Sequence, residues 1–235
     1  ANCDIKPRNM NFKIGILGLD PETTALYLTR LIDRFYEKDL IRKNQDFPQF
    51  IVNNIPGPAM VKEVISQEDL SPYLQGAKEL NSLGCNLIAM ICNTFYLFFD
   101  AFQQTINTPI IDLREEIFQK LKQANIQRIA VFGTPETMKG NLYNFSGIKS
   151  IPLTAADETE LNDILKKYII NNDRENQKDR LLNLSGKYLE RGAQSVILGC
   201  TEFGIMLTNS NINKIDSLAV LTDSVIREFE QYKIS

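Results

Sequence analysis

Two stretches of this chain repeat each other. Gly84-x-x-x-Ile88-x-x-x-Cys92-x-x-Phe95 is matched by Gly192-x-x-x-Val196-x-x-x-Cys200-x-x-Phe203 at a constant offset of 108 residues. A second match lies upstream. Ile14-Gly15-Ile16-Leu17-Gly18, leading to Pro21-Glu22-Thr23, returns 115 residues later as Ile129-Ala130-Val131-Phe132-Gly133, and Pro135-Glu136-Thr137 follows with one residue fewer after the glycine. Two matches in the same order point to one structural unit built twice.

The unit is legible from periodicity. Short apolar runs rich in β-formers (Phe12–Leu17, Gln49–Asn53, Asn86–Ile91, Pro109–Ile111, Arg128–Phe132, Ser195–Leu198, Ala219–Leu221) alternate with stretches of helical spacing (Glu22–Tyr36, Asp69–Leu83, Thr94–Gln104, Leu113–Gln123, Asp157–Ile170, Asn176–Arg191, Asp223–Tyr232). Such alternation predicts βαβ units and parallel strands covered by helices on both faces. The sequence therefore predicts an α/β protein of two pseudo-symmetric lobes, each a mostly parallel sheet flanked by helices, with an active-site cleft between them. Residues 1–112 with 215–235 form the first predicted lobe and residues 113–214 the second. In parallel sheets ligands sit beyond the carboxyl ends of the strands, so the residues just after each strand are the candidates for chemistry.

Composition narrows the chemistry. The chain of 235 residues contains no histidine, which excludes Ser-His-Asp and Cys-His catalysis and histidine-ligated zinc. Its 26 basic and 29 acidic side chains give a net charge of -3, with no electrostatic reason to hold nucleic acid. No apolar run is long enough to span a membrane. The opening Ala1–Asn11 is polar without a signal-peptide core, which predicts a cytoplasmic protein with reduced thiols. The four cysteines, Cys3, Cys85, Cys92 and Cys200, form no Cys-x-x-Cys pair, so neither a zinc site nor a dithiol motif is indicated.

Cys3 and Cys85 read as small apolar side chains, the ordinary role of a buried cysteine. Cys92 and Cys200 differ. Each ends a predicted strand and is followed by polar residues that can start a helix, Asn93-Thr94 and Thr201-Glu202. Backbone N–H groups at a helix start point back at the thiol and lower its pKa, so both thiols are expected to be partly ionised near neutrality. On a pseudo-twofold, two such thiols face each other across the cleft. A carbon held between them can lose a proton to one and gain one from the other on the opposite face, which inverts a stereocentre.

These motifs are similar to those of the aspartate/glutamate racemase family, the cofactor-independent racemases that use two cysteines. Cys92-Asn93-Thr94 resembles the family's first cysteine motif and Gly199-Cys200-Thr201-Glu202 its second, with Glu202 favouring the aspartate-racemase branch. Ile14–Gly18, Asn53-Asn54-Ile55-Pro56 and Gly133-Thr134-Pro135-Glu136-Thr137 resemble further family segments, so the likeness runs from about Phe12 to the C-terminus. It implies that Cys92 and Cys200 are the paired acid and base and that the small-molecule substrate is an amino acid of the aspartate/glutamate type or a related one. By the same resemblance Asn53, Asn93, Thr94, Thr134, Thr137, Thr201 and Glu202 contact that substrate, no cofactor or metal takes part, and a homodimer is the common assembly. A non-catalytic protein binding an amino acid or dicarboxylate on the same scaffold is the alternative.

The chain departs from the family in its carboxylate clamp. Where the family commonly follows Ile-Pro with Asp-Arg, this chain reads Ile55-Pro56-Gly57-Pro58, and its first loop is shortened to Gly18-Leu19-Asp20-Pro21. The family's basic residue in the second lobe has no clear match near Ile169-Ile170-Asn171-Asn172. These departures point away from an obligatory acidic substrate. The Asp173–Arg180 charge run reads as a solvated face, and the Phe95–Phe102 aromatic cluster as core.

Overall fold

A computed structural model describes residues 12–58, 64–171 and 173–234. Cys3, the polar opening Ala1–Asn11 and Asn172 lie outside the described residues. The first half comprises β1 (Lys13–Gly18), α1 (Pro21–Glu37), β2 (Gln49–Asn54), α2 (Gln67–Ser82), β3 (Leu87–Met90), α3 (Phe99–Gln104) and α4 (Leu113–Gln123). The second comprises β4 (Arg128–Gly133), α5 (Pro135–Lys139), β5 (Lys149–Ser150), α6 (Ala155–Asn171), α7 (Arg174–Glu190), β6 (Ser195–Gly199), α8 (Thr201–Met206), β7 (Lys214–Asp216) and α9 (Ser217–Ile234).

The strands form two parallel sheets. The first runs β2-β1-β3 and the second β5-β4-β6-β7, so the central strands β1 and β4 occupy equivalent places, as do β3 and β6. A single parallel bridge, Ile88 to Ile110, stands where β7 stands in the second sheet. The expected strand Pro109–Ile111 does not form beyond that bridge, because proline has no N–H to give a ladder.

The repeated glycines have a shared cause. Gly84 and Gly192 follow α2 and α7 with φ of 72° and 99°, the left-handed region that side chains resist. At both places the glycine N–H and the next N–H close back on the helix: Gly84 to Asn81 and Cys85 to Leu80, Gly192 to Leu189 and Ala193 to Tyr188. This double bond satisfies the last helical carbonyls and turns the chain into the next strand.

Two expectations are corrected here. Ala219–Leu221 is helix, not strand: the Asp216 carboxylate accepts from the Leu218 and Ala219 N–H groups and starts α9 there. The strand lies just upstream as β7, paired with β6 in the second sheet. Thr94–Gln104 is also not one α-helix. Residues Asn93–Phe98 wind as a tight 3-10 turn before α3, with Phe95, Tyr96 and Phe102 fully buried. Phe95 sits between Tyr73 and Phe102 at ring distances of 4.7 and 5.4 Å, so the aromatic cluster is core.

The second sheet divides its residues between two cores by the period of two that a strand imposes. Ile129, Val131 and Ile197 join a large core shared with the first lobe, whereas Ala130, Phe132, Val196 and Leu198 join a smaller one under α6, α7 and α8. Helix α9 packs on α1 and α4, and its Phe229 meets Phe12 and Phe35 of the first lobe. No helix among the described residues is long and apolar enough to cross a membrane.

Candidate active site

The repeat brings Cys92 and Cys200 to equivalent positions, each just beyond the carboxyl end of its strand, β3 and β6. Both hold extended backbone (φ -164° and -141°), and the chain then coils, as the 3-10 turn in one case and α8 in the other. Both cysteines line one cavity of about 230 Å³. That volume is below the roughly 300–1,000 Å³ of pockets that take drug-sized ligands, and suits a single small metabolite.

Asn93, Thr94, Thr134, Thr201 and Glu202 share this wall. Asn53 and Thr137, expected beside the ligand, do not lie on it. Asn53 points along β2 toward α2, where its amide nitrogen donates to the Gly76 carbonyl (3.2 Å) and the Glu79 carboxylate (2.9 Å). Thr137 is buried behind the wall. Its hydroxyl accepts from Thr134 (2.9 Å) and lies 3.4 Å from that of Thr94, while Thr134 caps α5. Thr137 therefore sets the direction of two hydroxyls that do reach the cavity.

Asn93 is held from both ends. Its amide nitrogen donates to the Ser217 hydroxyl at 3.0 Å, and its oxygen accepts from the Tyr143 phenol. Burial pushes the Tyr143 phenol well above its ordinary pKa, so it stays a neutral donor. Asn93, from the first half of the chain, is thus tied to two residues of the second.

The expectation that both thiols are acidified is not met. Thr94 and Phe95 N–H groups do reach Cys92, and the Glu202 N–H reaches Cys200, each favouring thiolate. Burial outweighs them, and the Glu202 carboxylate adds to it, so Cys92 is pushed up to about 12 and Cys200 well above its ordinary value. Glu202 accepts from the Cys200 thiol at 2.8 Å and from the Thr201 hydroxyl at 2.8 Å. Both sulfurs are thereby held as neutral thiols.

Sequence reasoning missed the cation of the site. Arg174, inside the charge run expected to be solvated, lines the cavity with Asp20, Glu22 and Tyr168. Its place was readable in principle: a helix leading into a parallel strand begins at the sheet's carboxyl edge, and Arg174 opens α7, which leads into β6. Gly57 lines the wall in the segment where an arginine was absent, and a Cβ there would meet the Tyr73 hydroxyl at 2.7 Å, which itself donates to the Pro58 carbonyl. Cys85 is buried and free, as expected of a packing residue. Among the described residues no cluster of three cysteine, aspartate or glutamate side chains is placed to hold a metal ion.

Comparison with known proteins bears on this geometry. A family profile described as Asp/Glu/Hydantoin racemase matches residues 16–225. The broad specificity amino-acid racemase RacX of Bacillus subtilis is 22% identical over 227 residues, covering 94% of this chain and 99% of its own. Among solved structures, an aspartate racemase from Picrophilus torridus superposes with a TM-score of 0.77 at 19% identity, covering 94% of this chain and 98% of that one. An aspartate racemase homologue from Pyrococcus horikoshii superposes with a TM-score of 0.72 at 23% identity, covering 92% and 97%. These structures share the fold of two parallel sheets flanked by helices. With a family match extending over nearly all of its described length, the chain belongs to the Asp/Glu/hydantoin racemase family.

Proposed function

We propose that this chain is an amino-acid racemase that inverts the α-carbon by two-base proton transfer between Cys92 and Cys200, without pyridoxal phosphate or metal. One observation carries the reading: two cysteines from equivalent strand ends of two sheets line a single cavity of about 230 Å³. One sulfur takes the α-proton as the other delivers a proton to the opposite face. The Thr94, Thr134 and Thr201 side chains on the same wall meet the substrate carboxylate, where charge accumulates as the proton leaves. Family membership and the similarity to RacX support the reaction class.

The raised thiols set a condition on the chemistry. One must give up its proton before it can act as base. At Cys200 the Glu202 carboxylate accepts the thiol's hydrogen bond at 2.8 Å and disfavours the thiolate, so loss of that proton waits on the bound substrate. A bound amino acid brings its own ammonium into the cavity, and that positive charge offsets the burial that keeps the sulfurs neutral. The burial of both sulfurs and the Glu202 carboxylate beside Cys200 also favour a second reading, a ligand-binding relative without turnover.

A chiral assay across the common amino acids separates the two. Racemisation of at least one by the wild type, lost in both Cys92→Ser and Cys200→Ser, supports the racemase. Binding without interconversion in the wild type, or unchanged rates in both serine variants, overturns it.

A further inference from the structure

Arg174 opens α7 in the second lobe and Glu22 lies in the first turn of α1 in the first, 152 residues away in sequence. Their side chains meet end-on: Nη1 donates to Oε1 and Nη2 to Oε2, both at 2.6 Å. The guanidinium also lies over the Tyr168 ring, 5.0 Å from its centre. All three residues line the cavity that holds the two cysteines. Arg174 is the one cation on that wall among the described residues, and the wall also carries the carboxylates of Asp20, Glu22 and Glu202. Two of these are committed: Asp20 accepts from the Thr23 N–H as the cap of α1, and Glu202 holds Cys200 and Thr201. The Glu22 fork leaves Arg174 Nε shut off from solvent with no hydrogen-bond partner among the described residues.

We propose that Glu22 is a built-in carboxylate that occupies Arg174 and so selects against amino acids carrying a second carboxylate. The inference rests on the reading that this cavity binds an amino acid, and it names the substrate class. A bidentate guanidinium–carboxylate pair is the arrangement a dicarboxylic substrate would itself need. Such a substrate must displace Glu22, whose backbone is fixed in the first turn of a helix, and must bring its charge beside Asp20 and Glu202. A neutral side chain meets no such opposition. It packs against Leu19, Leu26, Ile169 and Ile205, which complete the wall. Specificity here is a difference between two affinities, set as much by what the site repels as by what it holds.

Calorimetric titration with racemic glutamate and racemic methionine tests this, because turnover leaves a racemate unchanged. It is run on the wild type and on Glu22→Gln, Arg174→Met and the double variant, each first shown by thermal melting to be folded. Glu22→Gln is expected to tighten glutamate binding about tenfold or more, to lose that gain when combined with Arg174→Met, and to move methionine less than about threefold. Glutamate affinity unchanged in Glu22→Gln, or a gain that persists in the double variant, overturns the inference while methionine binding leaves the proposed function standing. Folded proteins that bind neither amino acid overturn the inference, and the chiral assay across the common amino acids then decides the proposed function.

Discussion

Cys92 and Cys200 each receive backbone N–H groups, yet burial and the Glu202 charge raise both thiols rather than lower them. The sign has a consequence for reactivity. With Cys92 at about 12, its thiolate fraction at pH 8 falls on the order of 10³-fold below that of a free thiol, and alkylation by iodoacetamide slows accordingly. The rate rises about tenfold per pH unit until the thiol titrates, which mass mapping of alkylated peptides between pH 7 and 10 measures. Glu202→Gln removes the charge that disfavours thiolate at Cys200, so Cys200 in that variant reacts roughly tenfold faster than in the wild type. Slower alkylation in Glu202→Gln contradicts this reading of the carboxylate.

Helices α6 and α7 are joined through one buried carboxylate. Asp157 accepts from Lys187 (2.6 Å), Tyr188 (2.8 Å) and Thr154 (2.7 Å), and these bonds, Lys187 first, hold its pKa down at about 2. A lowered carboxylate stabilises the fold above its ordinary pKa of 3.8 and loses that contribution as pH falls toward 2. Asp157→Asn is expected to lower unfolding free energy by about 1–2 kcal/mol at pH 7, screening by solvent included, and by much less near pH 2. Denaturant titrations at the two pH values measure the difference. The long elements α1, α2, α4, α6 and α7 were legible because their apolar spacing exceeds three turns. The two-residue β5 and three-residue β7 carry too few side chains for periodicity to register. Ala219–Leu221 misled because a short apolar run reads equally as strand or buried helix, and the deciding cap, Asp216, acts through a side chain. In the site, the repeat pointed to the cysteines and their polar neighbours. Asn53 was misplaced because its facing depends on strand register, and Arg174 was missed because Glu22 comes from the other lobe.

The two lobes share more than a cleft. Alternate residues of β4 and β6 belong to the first lobe's core, Tyr143 bonds Asn93, and Arg30 of α1 pairs with the largely buried Asp216 at 2.8 Å. With that continuity the chain is expected to unfold as one unit. Tyrosine fluorescence, usable because the chain has no tryptophan, and far-UV circular dichroism give coincident denaturation curves, whereas two separated transitions contradict a shared core. On the proposed mechanism, the same closeness brings two sulfurs from different halves of the chain to one carbon. Isotope incorporation during racemisation of a single enantiomer in deuterium oxide reads that arrangement most directly. Proton removal by one sulfur and delivery by the other places solvent deuterium on the α-carbon of the newly formed enantiomer, while unreacted substrate keeps its hydrogen at early times. Product that retains the original hydrogen, or label entering both enantiomers equally from the start, contradicts transfer between two opposed thiols.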